Sequence, residues 1–181
     1  MRWPLDLPAE LAVGSVALHP YTDDDAGALF DALDDPQVWE HIPRAVPSRA
    51  ADLDAEIRSK LADGNRVTFV VWRGDAVVGR TSVLHDPADP DGAEIGGTQL
   101  ARAEWGTGLN RAVKQLLLDL VFAQGASWVQ LRTDERNGRS AAAIRKIPAV
   151  QELGLRPDER TRRDDSRRLS LMFRIANPAG P

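Results

Sequence analysis

The residues best placed to do chemistry are the glycines of Trp105-Gly106-Thr107-Gly108-Leu109-Asn110. They lie between a short apolar run, Ile95 to Leu100, and a strongly apolar stretch that reaches Phe122. Glycine has no Cβ, so an anion can approach the backbone closely. A helix starting there adds unpaired N–H groups and the positive end of a dipole. Strand, Gly-x-Gly and helix together read as an anion seat suited to a pyrophosphate. The third glycine of a dinucleotide fingerprint is absent, because the motif continues to Arg111. No Lys-Ser/Thr follows at the spacing of a nucleoside triphosphate loop. A plain glycine loop before a helix has the same signature and is the alternative.

A second chemical cluster is Trp39-Glu40-His41, an aromatic, a carboxylate and an imidazole between Pro36 and Pro43. The prolines make it a short rigid segment. It reads either as a pocket wall or as a loop with Trp39 packed in the core beneath it. The remaining histidines, His19 and His85, are isolated, so no metal site is expected. The chain has no cysteine, which excludes disulfides, thiolate metal sites and a cysteine nucleophile.

Around these residues the sequence lays out its elements. Strands are expected over Ser15–Leu18, Val67–Trp72, Ala76–Leu84, Glu94–Leu100, Ser127–Thr133, Val150–Leu155 and Arg168–Ile175. Helices are expected from Thr22 through Leu33, briefly at Val38–Ile42, then over Arg49–Ala62, from the glycine loop to Gln124, and over Asn137–Lys146. This order is α+β: a central mixed sheet of about seven strands flanked by helices. The helical crossover after Gly108 makes the strands on either side of it parallel, with a ligand where they diverge.

The chain has 181 residues, 43% of them hydrophobic and 28% charged, which fits one domain over 1–181 with its core at about 15–175. Its longest apolar run, Leu116–Ala123, is broken by Asp119 and is far too short to span a bilayer. The N-terminus lacks the apolar core of a signal peptide, so a cytoplasmic location is expected, with no membrane partner. The net charge of −4 disfavours nucleic acid and favours a cationic acceptor. Arginines at 156, 160, 162, 163, 167 and 168 alternate with acids and read as a solvated hairpin.

Three segments resemble the Gcn5-related N-acetyltransferases (GNAT), in particular the RimJ/RimL-like branch. They are Glu94-Ile95-Gly96-Gly97-Thr98-Gln99-Leu100, then Trp105 to Asn110 with Lys114, then Asn137-Gly138-Arg139-Ser140 with Arg145 and Lys146. The resemblance implies acetyl-CoA in a V between two splayed parallel strands, and no metal. It implies pantetheine contacts around Thr98 and Leu100, and pyrophosphate contacts from Arg102, Trp105, Gly106, Thr107, Gly108, Leu109 and Asn110. Asn137 would lie beside the pantetheine arm, and Arg145 and Lys146 on the adenosine side. A primary amine, on a small molecule or a protein N-terminus, would attack the thioester directly. Ser140 would protonate the thiolate, since Tyr21 is the only tyrosine, and Glu94 would serve as base. Trp39, Glu40 and His41 would bind the acceptor. A homodimer is compatible with the family.

Several residues depart from that pattern. Ala103 replaces the usual Gln or Arg, Glu104 must turn to solvent, and Pro148 is expected to alter the exit of the Asn137 helix. A coenzyme-binding module with little catalysis is one alternative. Another is a different donor such as succinyl-CoA, which a basic residue near the acceptor, with Arg44 the candidate, would favour.

Overall fold

The β-branched runs of the sequence become strands of a single sheet. The computed structural model describes residues 1–180; Pro181 lies outside the described residues. The strands are β1 (Leu11–Val13), β2 (Val16–Pro20), β3 (Arg66–Arg73), β4 (Ala76–His85), β5 (Gly92–Leu100), β6 (Trp128–Asp134), β7 (Gln151–Thr161) and β8 (Arg167–Ala176). Their order is β1-β2-β3-β4-β5-β6-β8-β7. Neighbours are antiparallel except β5 and β6, which are parallel, as the helical crossover requires. The addition to the seven expected strands is β1, only three residues long and too short to show alternation.

Four helices cover the sheet: α1 (Ala26–Ala32), α2 (Ala50–Leu61), α3 (Leu109–Ala123) and α4 (Gly138–Ile144). α3 buries Leu109, Val113, Leu117 and Val121, spaced by four, and packs them with Phe69, Ile95, Val129 and Phe173. Gly125, at φ +83°, ends it. α4 joins the same core through Ala141 and Ile144. On the opposite face, α1 and α2 enclose Leu29, Leu33, Leu53, Ile57 and Trp39. None of the described helices is long and apolar enough to cross a membrane.

Local physics explains the shifts from expectation. The element expected over Val38–Ile42 is a 3₁₀ turn over Pro36–Trp39, started by Pro36 and by Asp35, whose carboxylate accepts from Gln37 N–H at 2.8 Å. β7 runs on to Thr161, so much of the expected basic loop is strand. Its charges are only partly solvated: Arg156, Glu159, Arg163, Asp164, Asp165 and Arg167 are exposed, but others join a buried network. Asp134 and Asp158 are 1% and 2% exposed and pair with Arg162 at 2.8 Å and Arg160 at 2.7 Å. Arg168 lies 3.3 Å from Asp158. Buried ions require such partners. α4 ends at Ile144, so Pro148 falls beyond it and leaves the helix intact.

β5 and β6 can approach only because residue 92 is glycine. A Cβ there would lie 2.2 Å from the Trp128 indole, which Arg174 holds from a guanidinium carbon 4.1 Å from its ring centre. Gly92→Ala is therefore expected to cost about 1–3 kcal/mol by overpacking, read as a lower denaturant midpoint. An unchanged midpoint would show that Trp128 moves aside freely.

Candidate active site

The site begins where β5 and β6 part. Their pairing covers only Gly92–Glu94 with Trp128–Gln130. Beyond it β5 stays bonded to β4, and β6 to β8 as far as Asp134. A bulge in β5 produces the bend. Its register against β4 shifts between Arg80 and Ser82, where Gly97-Thr98 oppose Thr81, and Gly97 adopts φ +61°. The fork opens into a cavity of about 660 Å³, within the range of small-molecule sites.

The glycine loop forms one rim. Gly106 and Gly108 adopt φ +79° and +90°, conformations that L side chains rarely take. A Cβ on either would meet nothing within 4 Å, so the space ahead of the loop is open. The N–H groups of Gly106, Gly108 and Asn110 find no partner among the described residues. All three residues line the cavity, an arrangement that can receive an anion. Asn110 also keeps a buried, unpartnered Oδ1. Trp105 lines the cavity, and its indole N–H donates to Leu100 C=O at 3.0 Å.

Some residues of this loop do not contribute side chains. Leu109 is in the core at 3% exposure. Arg102 points away, 3.6 Å from Asp35, and Thr107 donates to Glu104 C=O at 2.9 Å. Glu104 does not turn to solvent: it lines the cavity, is 13% exposed and pairs with Arg73. That pairing neutralises it beside the seat.

Thr98 lies deeper, on the α3 side. Its hydroxyl receives Lys114 Nζ at 2.5 Å and contacts Thr81 Oγ1 at 2.8 Å. Lys114 interrupts the apolar stripe of α3, and its burial pushes the ammonium down to about 7.

α4 supplies the other rim. Asn137 caps it, its Oδ1 accepting Ser140 N–H at 3.0 Å. Asn137, Ser140 and Lys146 line the cavity. Arg145 does not: it is drawn to Glu152 at 2.8 Å. Arg139 lies over the Trp105 ring at 3.4 Å and bridges the two rims. Glu94 sits at the base of the fork. Its carboxylate accepts from Arg132 at 2.9 Å and from Gln130 at 3.4 Å.

The segment after α1 divides. Trp39 is core, 4% exposed, its indole donating to Leu33 C=O at 2.9 Å, and it does not line the cavity. Glu40 points to solvent. His41, Ile42, Pro43 and Arg44 do line the cavity. Burial holds His41 below the usual histidine value, against the opposing charges of Glu40 and Asp134. Its imidazole is therefore neutral at pH 7. Tyr21 is engaged elsewhere, donating to Asp54 at 2.8 Å. The sequence reading did not single out Lys60, Arg66 and Arg80, which also line the cavity. The available signal was Arg80 itself, a charge in the middle of the apolar run Ala76–Leu84.

A family model, the acetyltransferase (GNAT) domain, matches residues 15–149. The chain belongs to the GNAT family and is an acyltransferase. A protein assigned as an acetyltransferase from T. thermophilus is 27% identical with a TM-score of 0.83, covering 94% of this chain and 90% of that one. A spermidine N-acetyltransferase from Vibrio cholerae, solved with CoA and spermine, is 14% identical with a TM-score of 0.73, covering 90% and 96%. An acetyltransferase from Salmonella typhimurium that modifies the N-terminal serine of ribosomal protein L7/L12 is 14% identical with a TM-score of 0.77, covering 92% and 98%. At 14% the likeness is one of fold, and at that level it agrees with the RimJ/RimL-like resemblance. No curated protein matched the chain.

Lys114 gives the site a measurable signature. Its folded value of about 7 lies below the ordinary 10.5. Between those values the unfolded chain binds more protons, so this group lets stability rise with pH; below about 7 both states are protonated and the cost is complete. Lys114→Met removes the effect. The stability difference, wild type minus variant, is expected to increase from about pH 7 to about pH 10 in urea titrations. A constant difference would mean that Lys114 is charged in the folded protein across this range.

Proposed function

We propose that the protein is an acetyl-CoA-dependent N-acetyltransferase acting on a primary amine by direct attack. The observation that carries this reading is the fork between β5 and β6, with unpaired N–H groups of the Gly106–Asn110 loop at its rim. A pyrophosphate fits those N–H groups, with Arg111 and Lys146 from the cavity wall adding positive charge. The unpaired edge of β5 around Thr98 and Leu100 suits the pantetheine amides. Leu100 C=O already receives the Trp105 indole but keeps a second lone pair.

When bound, acetyl-CoA supplies an activated thioester carbonyl. The chain's own groups handle position and protons. Ser140 spends its N–H on Asn137 and has no hydroxyl partner among the described residues, so it is assigned to protonate the departing thiolate. The base is assigned to His41 rather than Glu94. His41 is neutral and lines the cavity, whereas both Glu94 oxygens are engaged by Arg132 and Gln130.

Calorimetry with CoA tests the seat. Affinity of about 4–8 kcal/mol is expected, falling more than tenfold in Gly108→Asp, which places a charged side chain at φ +90°. Unchanged affinity would remove the loop from the site. Thiol release with a panel of amines tests the chemistry, and binding without release would favour the non-catalytic module.

Ser140→Ala is expected to lower kcat by about 10²-fold or more with coenzyme affinity kept. His41→Gln should lower kcat/KM similarly and abolish an acid limb lying below pH 6.5. A normal pH profile in that variant would return the base role to Glu94 or to water.

A further inference from the structure

The side of the cavity facing α2 is unusually basic. Arg66 and Thr68 from β3, Arg80 and Ser82 from β4, Lys60 from α2 and Arg44 from the preceding loop all line it. One carboxylate forms ion pairs within this group, while Glu94 and Asp63 act on Arg66 only from a distance. Glu56 pairs with Arg44 at 2.7 Å and Arg80 at 2.7 Å, and also contacts Lys60. Arg66 has no ion pair with any described residue. Some other charges around the cavity are matched, Glu94 with Arg132, Asp134 with Arg162, and Asp158 with Arg160 and Arg168, while Arg111, Arg139 and Lys146 line it with no ion pair to a described residue. The cavity is basic overall, and this chamber sets four of its cations, Arg44, Lys60, Arg66 and Arg80, beside a single paired carboxylate, Glu56. Burial first, and then the neighbouring Arg80, Arg44, Arg66 and Arg160, push Lys60 down to about 6.

A second observation points the same way. Gln99 is 5% exposed and lines the cavity. Its Oε1 accepts from Arg80 Nε at 2.9 Å and Nη2 at 2.5 Å, which fixes the orientation of the amide. Its Nε2 is then buried with no partner. A buried donor beside surplus cations is matched by an acceptor that carries negative charge.

Resting on the acyltransferase reading, we propose that this chamber binds a substrate carboxylate, with Arg66 and Gln99 Nε2 as its donors. Arg66 offers a planar set of N–H groups suited to a bidentate carboxylate. The carboxylate has two sources: the acceptor, as in an amino acid, or the far end of a dicarboxylic acyl group on the donor. In both cases the amine nitrogen bonds to the acyl carbon, the C–S bond breaks, the nitrogen loses a proton and the thiolate gains one. The net negative charge of the chain favoured a cationic acceptor; the local charge of this chamber favours the opposite.

The test uses the full chain and succinate as probe. Calorimetry at fixed ionic strength should show saturable succinate binding, weakened at least tenfold in Arg66→Gln and partly restored in Arg66→Lys. CoA titrated into the same variants should bind as in wild type, which separates local loss from misfolding. No succinate binding, or equal binding by Arg66→Gln, overturns the proposal. Turnover then assigns the source. Faster acetylation of amino acids than of their amides places the carboxylate on the acceptor, and faster transfer from succinyl-CoA than from acetyl-CoA to the amides places it on the donor. A lack of either preference in an active enzyme also overturns the proposal. Failure of the acyltransferase reading shows separately, as no CoA binding and no thiol release, and the succinate titration still decides this inference.

Discussion

Two parallel strands that touch for three residues and then separate set the geometry of everything else. A sheet normally gains nothing by opening, because each unpaired backbone group inside it is a lost hydrogen bond. Here the opening is stable because each strand is held on its outer side. β5 keeps its ladder with β4, and β6 keeps its ladder with β8. Gly92 against Trp128 closes one end of the wedge, and the bulge at Gly97-Thr98 turns β5 away. The inner edges are left for a ligand, and the α3 N-terminus and α4 form the two rims. The Arg139–Trp105 stack ties those rims across the gap.

Electrostatics adds a second layer. The chain is acidic overall, with a net charge of −4, yet many of its arginines converge on the cavity. Arg132, Arg160 and Arg168 are neutralised in place by Glu94, Asp134 and Asp158. Their pairing keeps a buried charge network from destabilising the fold, since an unpaired ion in that setting costs several kcal/mol. Around Glu56 one carboxylate is shared by Arg44, Arg80 and Lys60, and the carboxylate site proposed at Arg66 and Gln99 lies in the same chamber.

Much of this was legible in the sequence, for identifiable reasons. The fork was foreseen because a helical crossover forces parallel pairing, and the glycine loop at its rim because Gly106 and Gly108 precede an apolar helix. Asn137 and Ser140 were legible through resemblance alone. Other features depend on distant contacts that no local pattern encodes. Glu104 looked free because its partner, Arg73, lies on another strand. Arg145 looked available until β7 brought Glu152 beside it. The buried part of the stretch after Arg156 was missed because alternating signs on a surface and in a buried network read alike. Lys60, Arg66 and Arg80 come from three elements and meet only in the folded sheet.

Trp39 shows how a core residue can still govern the site. It does not line the cavity, but it is a junction. Its ring lies 5.6 Å below the Arg80 guanidinium, and its indole N–H bonds Leu33 at the end of α1. Its carbonyl accepts from Arg163, and the carbonyl of His41 accepts from Arg168. Both arginines belong to the β7–β8 hairpin region, and Arg168 is itself held between Asp134 and Asp158. The position of His41 is thus fixed from below by packing and from the far end of the chain by charge. A change in the hairpin network would move the imidazole without touching it. The distinction drawn from sequence, between a pocket wall and a packed tryptophan, resolves into one assembly in which Trp39 provides the support and His41 to Arg44 provide the wall.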